Sequence, residues 1–323
     1  TKEMRQRGQR YVHWSREIDR APDVPFVKRP EPRPPVAARP KHFSVTEIET
    51  LRRDPYAIFA KKILKLRPLE PLIRDPAAAE RGTLFHDILG HFTQQNIDPL
   101  SPDAANRLLE LGRIFFDALE LPVEIEAVWW PRFTALVPQF LAWERERAPN
   151  VLKRFAEIDA EVREIENLGI TLSGRADRID LMQDGTAEII DYKTGSTPSP
   201  KQAHLLLSPQ LALEAALLAR GAFRAVGGGK ASDRTYVRLK AGGEVRAESI
   251  LKINRPSSEK TAPAIGEEAW QRLAELLAEY QKPEKGYLSR ALPFRETDLT
   301  GDYDHLARVL EWSAGGDAGE GGE

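Results

Sequence analysis

The sequence predicts an α/β fold, with a central mixed sheet of about four or five strands flanked by helices and a helical insertion ahead of its most informative hairpin. Three observations predict it. Apolar residues recur at helical spacing through much of the chain before residue 155, as at Leu84, Phe85, Ile88 and Leu89. Beyond Phe155 the texture changes to alternating segments at 160–165, 170–182 and 186–194, with Gln183-Asp184-Gly185 marking a tight turn between the last two. A helical stretch at 210–220 then precedes a strand-like one at 234–239, so helices and strands follow one another as a layered fold requires.

Composition narrows the chemistry. The 323 residues are 41% hydrophobic, enough for one sizeable core or two small ones. The opening Thr-Lys-Glu lacks Met and a signal-like apolar run, so an excised portion of a longer cytoplasmic chain is expected. Without cysteine there is no disulfide, thiolate zinc site or iron–sulfur cluster, and any metal must be held by oxygen and imidazole. A net charge of −2 excludes a uniformly basic coat, yet residues 1–75 carry 18 Lys and Arg against 10 acidic side chains, compatible with a local path for DNA.

Element by element, residues 1–20 are helical, and the proline-dominated 29–40 is a semi-rigid extended linker. Residues 1–41 therefore form the end of a preceding region plus linker, 42–314 the main domain, and 315–323 a Gly/acidic tail too polar to pack. Ser44 with Glu47 makes a capping box for a helix ending at Asp54-Pro55, and a second helix carries Tyr56, Phe59, Ile63 and Leu64. Further helices are expected at 77–92, which holds His86, and at 103–119, 132–147 and 267–281.

The chemistry concentrates in the hairpin Gly174-Arg-Ala-Asp177-Arg-Ile-Asp180, turn, Ile190-Asp191-Tyr-Lys193-Thr-Gly195. Residues two apart on a strand share a face, so Asp191 and Lys193 project together, away from Ile190 and Tyr192. A three-residue loop, 183–185, with Gly185 left-handed brings Asp177 opposite Asp191; a two-residue loop, 184–185, would bring Arg178 there instead. Two carboxylates on one rung repel unless a cation lies between them, and a hard divalent ion, Mg²⁺ or Mn²⁺, suits them. The bland alternative is an exposed ribbon whose Asp177, Arg178, Asp180 and Lys193 are solubilising ion pairs.

These motifs, with Gly82-Thr-Leu-Phe-His86 upstream, resemble the PD-(D/E)XK nuclease signature in its RecB-like form. Phe43–Glu49, Asp54–Phe59 and Gly301–Trp312 further resemble the C-terminal nuclease region of AddB-type subunits of bacterial helicase-nucleases. The resemblance implies a restriction-endonuclease-like core in which His86, Asp177, Asp191 and the Tyr192 carbonyl bind Mg²⁺ or Mn²⁺. It makes Lys193 catalytic beside Asp191 and Asp177, and Gln210 a substrate-binding residue. It also implies cleavage of single-stranded DNA delivered by an AddA-type partner during double-strand-break processing for recombinational repair. Rival readings are a chemically inert scaffold binding DNA and that partner, and a free-standing exonuclease. The sequence departs from the family twice: its Gln-x-x-x-Tyr is Gln210-Leu-Ala-Leu-Glu214 here, and Asp54 stands where a cluster cysteine would precede proline. His91 and His204 are expected to be structural or surface residues, and Trp129, Trp130 and Trp143 to serve helix packing.

Overall fold

In a computed structural model, residues 2–18, 27–68, 76–227, 231–240, 242–251, 261–293 and 301–313 are described. The chain divides into two units, Glu31–Phe294 and a smaller one of Thr1–Pro30 with Arg295–Glu323. The smaller unit holds helix α1 (Lys2–Ile18), which buries none of its side chains. It also holds a short C-terminal helix (Val309–Ser313), whose Trp312 indole N–H donates to the Ala307 carbonyl at 2.9 Å.

The larger unit opens with the proline-rich stretch, which lies along the chain near residues 280–287. The buried Arg39 guanidinium donates to the carbonyls of Tyr280 at 2.7 Å and Lys282 at 3.0 Å, and Tyr287 N–H donates to the Pro32 carbonyl at 2.9 Å. Strand β1 (His42–Ser44) leads into α2 (Val45–Arg53), capped by the expected Ser44/Glu47 box. Then come α3 (Pro55–Ile58) and a π-helical turn (Phe59–Ile63). Asp54 Oδ1 accepts from Arg290 N–H at 2.9 Å, and the Arg53 carbonyl accepts from Leu292 N–H at 2.9 Å. The 53–54 corner is thus tied to the 290–292 strip by ordinary hydrogen bonds.

Three helices follow, α4 (Ala78–Gln94), α5 (Ala104–Ala118) and α6 (Val123–Arg147). Helix α6 starts nine residues before the expected 132 and runs through Pro131 and Pro138. A proline removes one internal N–H donor, but buried Trp129, Phe133, Val137 and Phe140 repay that cost by packing. After α6 come β2 (Val151–Ile165), β3 (Ile170–Met182), β4 (Ala187–Lys193), α7 (Pro200–His204), α8 (Gln210–Ala219), β5 (Ala231–Leu239), β6 (Val245–Ser249) and α9 (Ala262–Glu279). The Val309–Ser313 helix is α10.

Among the described residues the strands form one mixed six-stranded sheet, ordered β1-β3-β4-β5-β6 with β2 on the other edge of β3. That is two strands more than the four segments the sequence locates. The additions are the three-residue β1 and the polar edge strand β6, neither of which has a periodic apolar pattern to betray it. One face of the sheet packs against α2, α8 and α9, the other against α4, α5 and α6. Strand β4 is buried on both: Ile189 belongs to the first cluster, Ile190 and Tyr192 to the second.

Candidate active site

The β3–β4 turn sets the geometry. Met182 N–H donates to the Thr186 carbonyl at 2.8 Å, Gly185 N–H to the Met182 carbonyl at 3.0 Å, and Gly185 has φ +79°. This is the three-residue loop, with a glycine in the left-handed conformation that other residues adopt at a cost. The pairing Arg178↔Ile190, Ile179↔Ile189, Asp180↔Glu188 follows, and one step further along that register Asp177 meets Asp191. There the ladder ends. Tyr192 N–H donates to the Asp177 side chain, Oδ2, at 3.1 Å.

Around this rung the structure gathers His86, Asp177, Asp191, Tyr192, Lys193 and Gln210. His86, on α4, places Nδ1 3.2 Å from Asp177 Oδ2. Lys193 Nζ lies 2.9 Å and 2.7 Å from the two oxygens of Asp191, and 3.4 Å from Gln210 Oε1 on α8. Asp191 is 1% exposed, whereas the Lys193 side chain keeps 30% of its surface open, so of the pair it is the lysine that meets solvent.

Electrostatics separates the two aspartates. Burial raises the Asp177 pKa, but the hydrogen bond and charge of His86, the Lys193 charge and the Tyr192 N–H outweigh it, and the group is held below its ordinary value. Burial and the neighbouring Asp177 push Asp191 up to about 7, although Lys193 pulls the other way. Burial disfavours charge on His86 and Lys193 as well; Asp177 outweighs it for the imidazole, Asp191 for the ammonium, and both pKa values are raised. A buried carboxylate that resists ionising beside another is a pair in need of positive charge.

Two carboxylates and the Tyr192 carbonyl are hard donors of the kind Mg²⁺ or Mn²⁺ takes, the borderline imidazole suits Mn²⁺, and an Asp191 that resists ionising fits that demand. Among the described residues no three His, Asp or Glu side chains already stand in a metal-holding arrangement. His86 and Asp177 hydrogen-bond each other and Lys193 closes Asp191, so cation binding would exchange these internal partners for the ion.

Other residues enter that sequence reasoning passed over. Arg178 and Asp180, which the bland reading made exposed, are both 0% exposed. Arg178 forms a fork with Asp180 at 2.7 and 2.8 Å, pairs with Glu144 of α6 and donates to Tyr192 Oη at 3.0 Å. Arg147 continues the network to Asp180 at 2.8 Å and Glu188 at 2.5 Å. It thus braces Tyr192 from behind, and the only sequence signal was the even spacing of Arg178 and Asp180 on one strand. Glu157 of β2, at φ +53°, faces the Asp177 rung and pairs with Arg175 at 2.9 Å; burial and the Asp177 charge raise its pKa.

Glu214 is 1% exposed, and neither carboxyl oxygen has a hydrogen-bond partner among the described residues. Burial, then the charges of Asp191 and Asp177, raise its pKa well above the ordinary value, against a weaker downward pull from the Gln210 side-chain amide and the Lys193 charge. His91 is an exposed surface residue of α4 whose Nδ1 lies 3.0 Å from the Asp87 carbonyl and whose ring packs edge-on against Phe115. The side chain of His204 lies outside the described residues, as does the tail at 315–323. Trp129 is in the core; Trp130 and Trp143 pack against it, with Arg113 and Arg147 over their rings at 4.7 and 4.5 Å.

A family model described as the PD-(D/E)XK nuclease superfamily matches residues 42–289. Uncharacterized proteins of Rickettsia bellii and Rickettsia conorii are each 34% identical over 185 and 189 residues, 57% of this chain. The match takes in 22% and 23% of those proteins, so the chain spans under a quarter of the length of these relatives. The crystal structure of SSO0001 is 14% identical, covering 72% of this chain and 76% of that one, with a TM-score of 0.27, too slight a likeness to carry an argument.

Proposed function

Since the chain belongs to the PD-(D/E)XK nuclease superfamily, whose members cleave phosphodiester bonds, we propose that it is a metal-dependent exonuclease domain acting on single-stranded DNA. The observation that carries this reading is the gathering of Asp177, Asp191, Lys193 and His86 at the open end of one hairpin. A bound divalent cation would lower the pKa of a water and screen the phosphate charge. Asp177, Asp191, His86 and the Tyr192 carbonyl would hold it, with Mg²⁺ or Mn²⁺ as the ion. Lys193, partly exposed and kept protonated by Asp191, is aimed to neutralise charge building on the phosphate oxygens. Gln210 steadies the ammonium from α8 and contacts substrate.

The cellular setting we propose is helicase-coupled processing of double-strand breaks for recombinational repair, in the cytoplasm with an AddA-type partner. Its support is the likeness of Phe43–Glu49, Asp54–Phe59 and Gly301–Trp312 to AddB-type nuclease regions. Among the described residues no helix is long and apolar enough to cross a membrane.

The test is cleavage of end-labelled single-stranded DNA with Mg²⁺, Mn²⁺ or chelator. Asp191→Ala and Lys193→Ala are each expected to lower the rate by roughly 10²–10³-fold, with DNA binding retained by Lys193→Ala. Undiminished cleavage by both variants would sink the assignment.

A further inference from the structure

Beside the Asp177–Asp191 rung the sheet has an opening. Strand β2 takes one edge of β3, while β1 and β4 share the other, β1 pairing residues 171–173 and β4 residues 178–181. Residues 174–177 between them have no strand partner on that edge among the described pairs. A cleft of about 360 Å³ lies along this gap, in the size range of small-molecule sites, with Gly174, Arg175, Gln210 and Glu214 in its lining. It adjoins the active site directly, because the Gln210 side chain that lines it also touches Lys193 Nζ.

We propose that this cleft seats the base of the nucleotide next to the scissile phosphate, with Glu214 accepting a hydrogen bond from the base's exocyclic amino group. This rests on the nuclease reading above. The lining chooses among the parts of a DNA strand. Glu214 and Asp159 disfavour a phosphate there, and Arg175 is already paired with Glu157. An internal deoxyribose has no hydrogen to donate. Adenine, cytosine and guanine carry amino donors, whereas the Watson–Crick edge of thymine or uracil has a single ring N–H between two acceptors. Glu214 meets this need: it is almost wholly buried, lies against the cleft, and neither oxygen has a partner of ordinary hydrogen-bond geometry among the described residues, the Gln210 amide beside it acting only weakly. Leaving such a group unsatisfied is costly, so a donor arriving with substrate is worth more here than at an exposed carboxylate. Ionised or protonated, the group keeps an oxygen that accepts.

Oligo-deoxycytidine and oligo-deoxyuridine differ only in an amino group against a carbonyl at C4 and in the ring proton that follows from it. Their affinities for the full chain carrying Lys193→Ala, measured by fluorescence anisotropy with Mg²⁺, test the proposal. Deoxycytidine is expected to bind about tenfold more tightly, and adding Glu214→Ala should bring the ratio below twofold. Equal affinities in the Glu214-intact protein, or a ratio that survives Glu214→Ala, would overturn it. So would a loss of Mn²⁺ affinity in Glu214→Gln by electron paramagnetic resonance, which would assign the carboxyl to the cation. Wild-type cleavage of both oligonucleotides is run in parallel. Intact cleavage with equal affinities defeats the base subsite alone, whereas absence of any metal-dependent cleavage defeats the nuclease reading itself.

Discussion

Two charged clusters back onto the same pair of strands, and they are built on opposite principles. On the α6 side Arg178, Arg147 and Arg154 face Glu144, Asp180 and Glu188, three charges of each sign, joined by forked contacts. On the α8 side Asp177, Asp191 and Glu214 share the single ammonium of Lys193, with His86 alongside. The balanced cluster can be buried without a ligand because each ion is paid in kind by a neighbour. The unbalanced one leaves the Glu214 oxygens without a hydrogen bond of ordinary geometry among the described residues and Asp191 reluctant to ionise, so positive charge or a hydrogen donor from outside would relieve both. Burial alone does not separate the two clusters; the local balance of charge does.

The largest expected effect on stability comes from unbalancing the first cluster. Glu144→Ala removes the partner of Arg178 and Arg154 and should cost about 3–5 kcal/mol in urea denaturation. A loss below 1 kcal/mol would mean that the network is not what holds the hairpin against α6.

Relieving the second cluster should act the other way. Asp191 has a folded pKa near 7, above the ordinary carboxylate value, so its folded form binds the proton more tightly than the unfolded chain. Stability in chelator is therefore expected to fall as pH rises from about 4 through 7. The raised His86 adds to that slope near its own titration. Asp191→Asn should flatten the profile and raise the Tm at pH 8, while abolishing the increase in Tm that Mg²⁺ or Mn²⁺ gives the wild type. A variant that still gains stability from the cation would separate Asp191 from metal binding.

The smallest effect belongs to the turn that sets the register. Gly185→Ala places a side chain at φ +79° and should cost about 1 kcal/mol. Cleavage is expected to persist, since the Asp180↔Glu188 pairing and both core faces hold the register independently. Loss of activity with the fold intact would show that the loop alone aligns Asp177 with Asp191.

By itself the sequence determined the hairpin and its acidic pair. The period of two in 170–182 and 186–194, the glycine at 185 and the spacing of Asp191 and Lys193 are local facts, and backbone geometry turns local facts into facing side chains. The Ser44 cap and the helices around Leu84–Leu89 and Gln210 were legible for the same reason. The start of α6, the length of β2 and the edge strands β1 and β6 were not, because packing of distant residues outweighs weak local preference there. Only the tertiary structure decided that Arg178 and Asp180 are buried rather than solvated, that His86 meets Asp177 across 91 positions, and that Glu214 is buried against a cleft. Charge balance is a sum over neighbours in space, and neighbours in space are what a linear pattern does not contain.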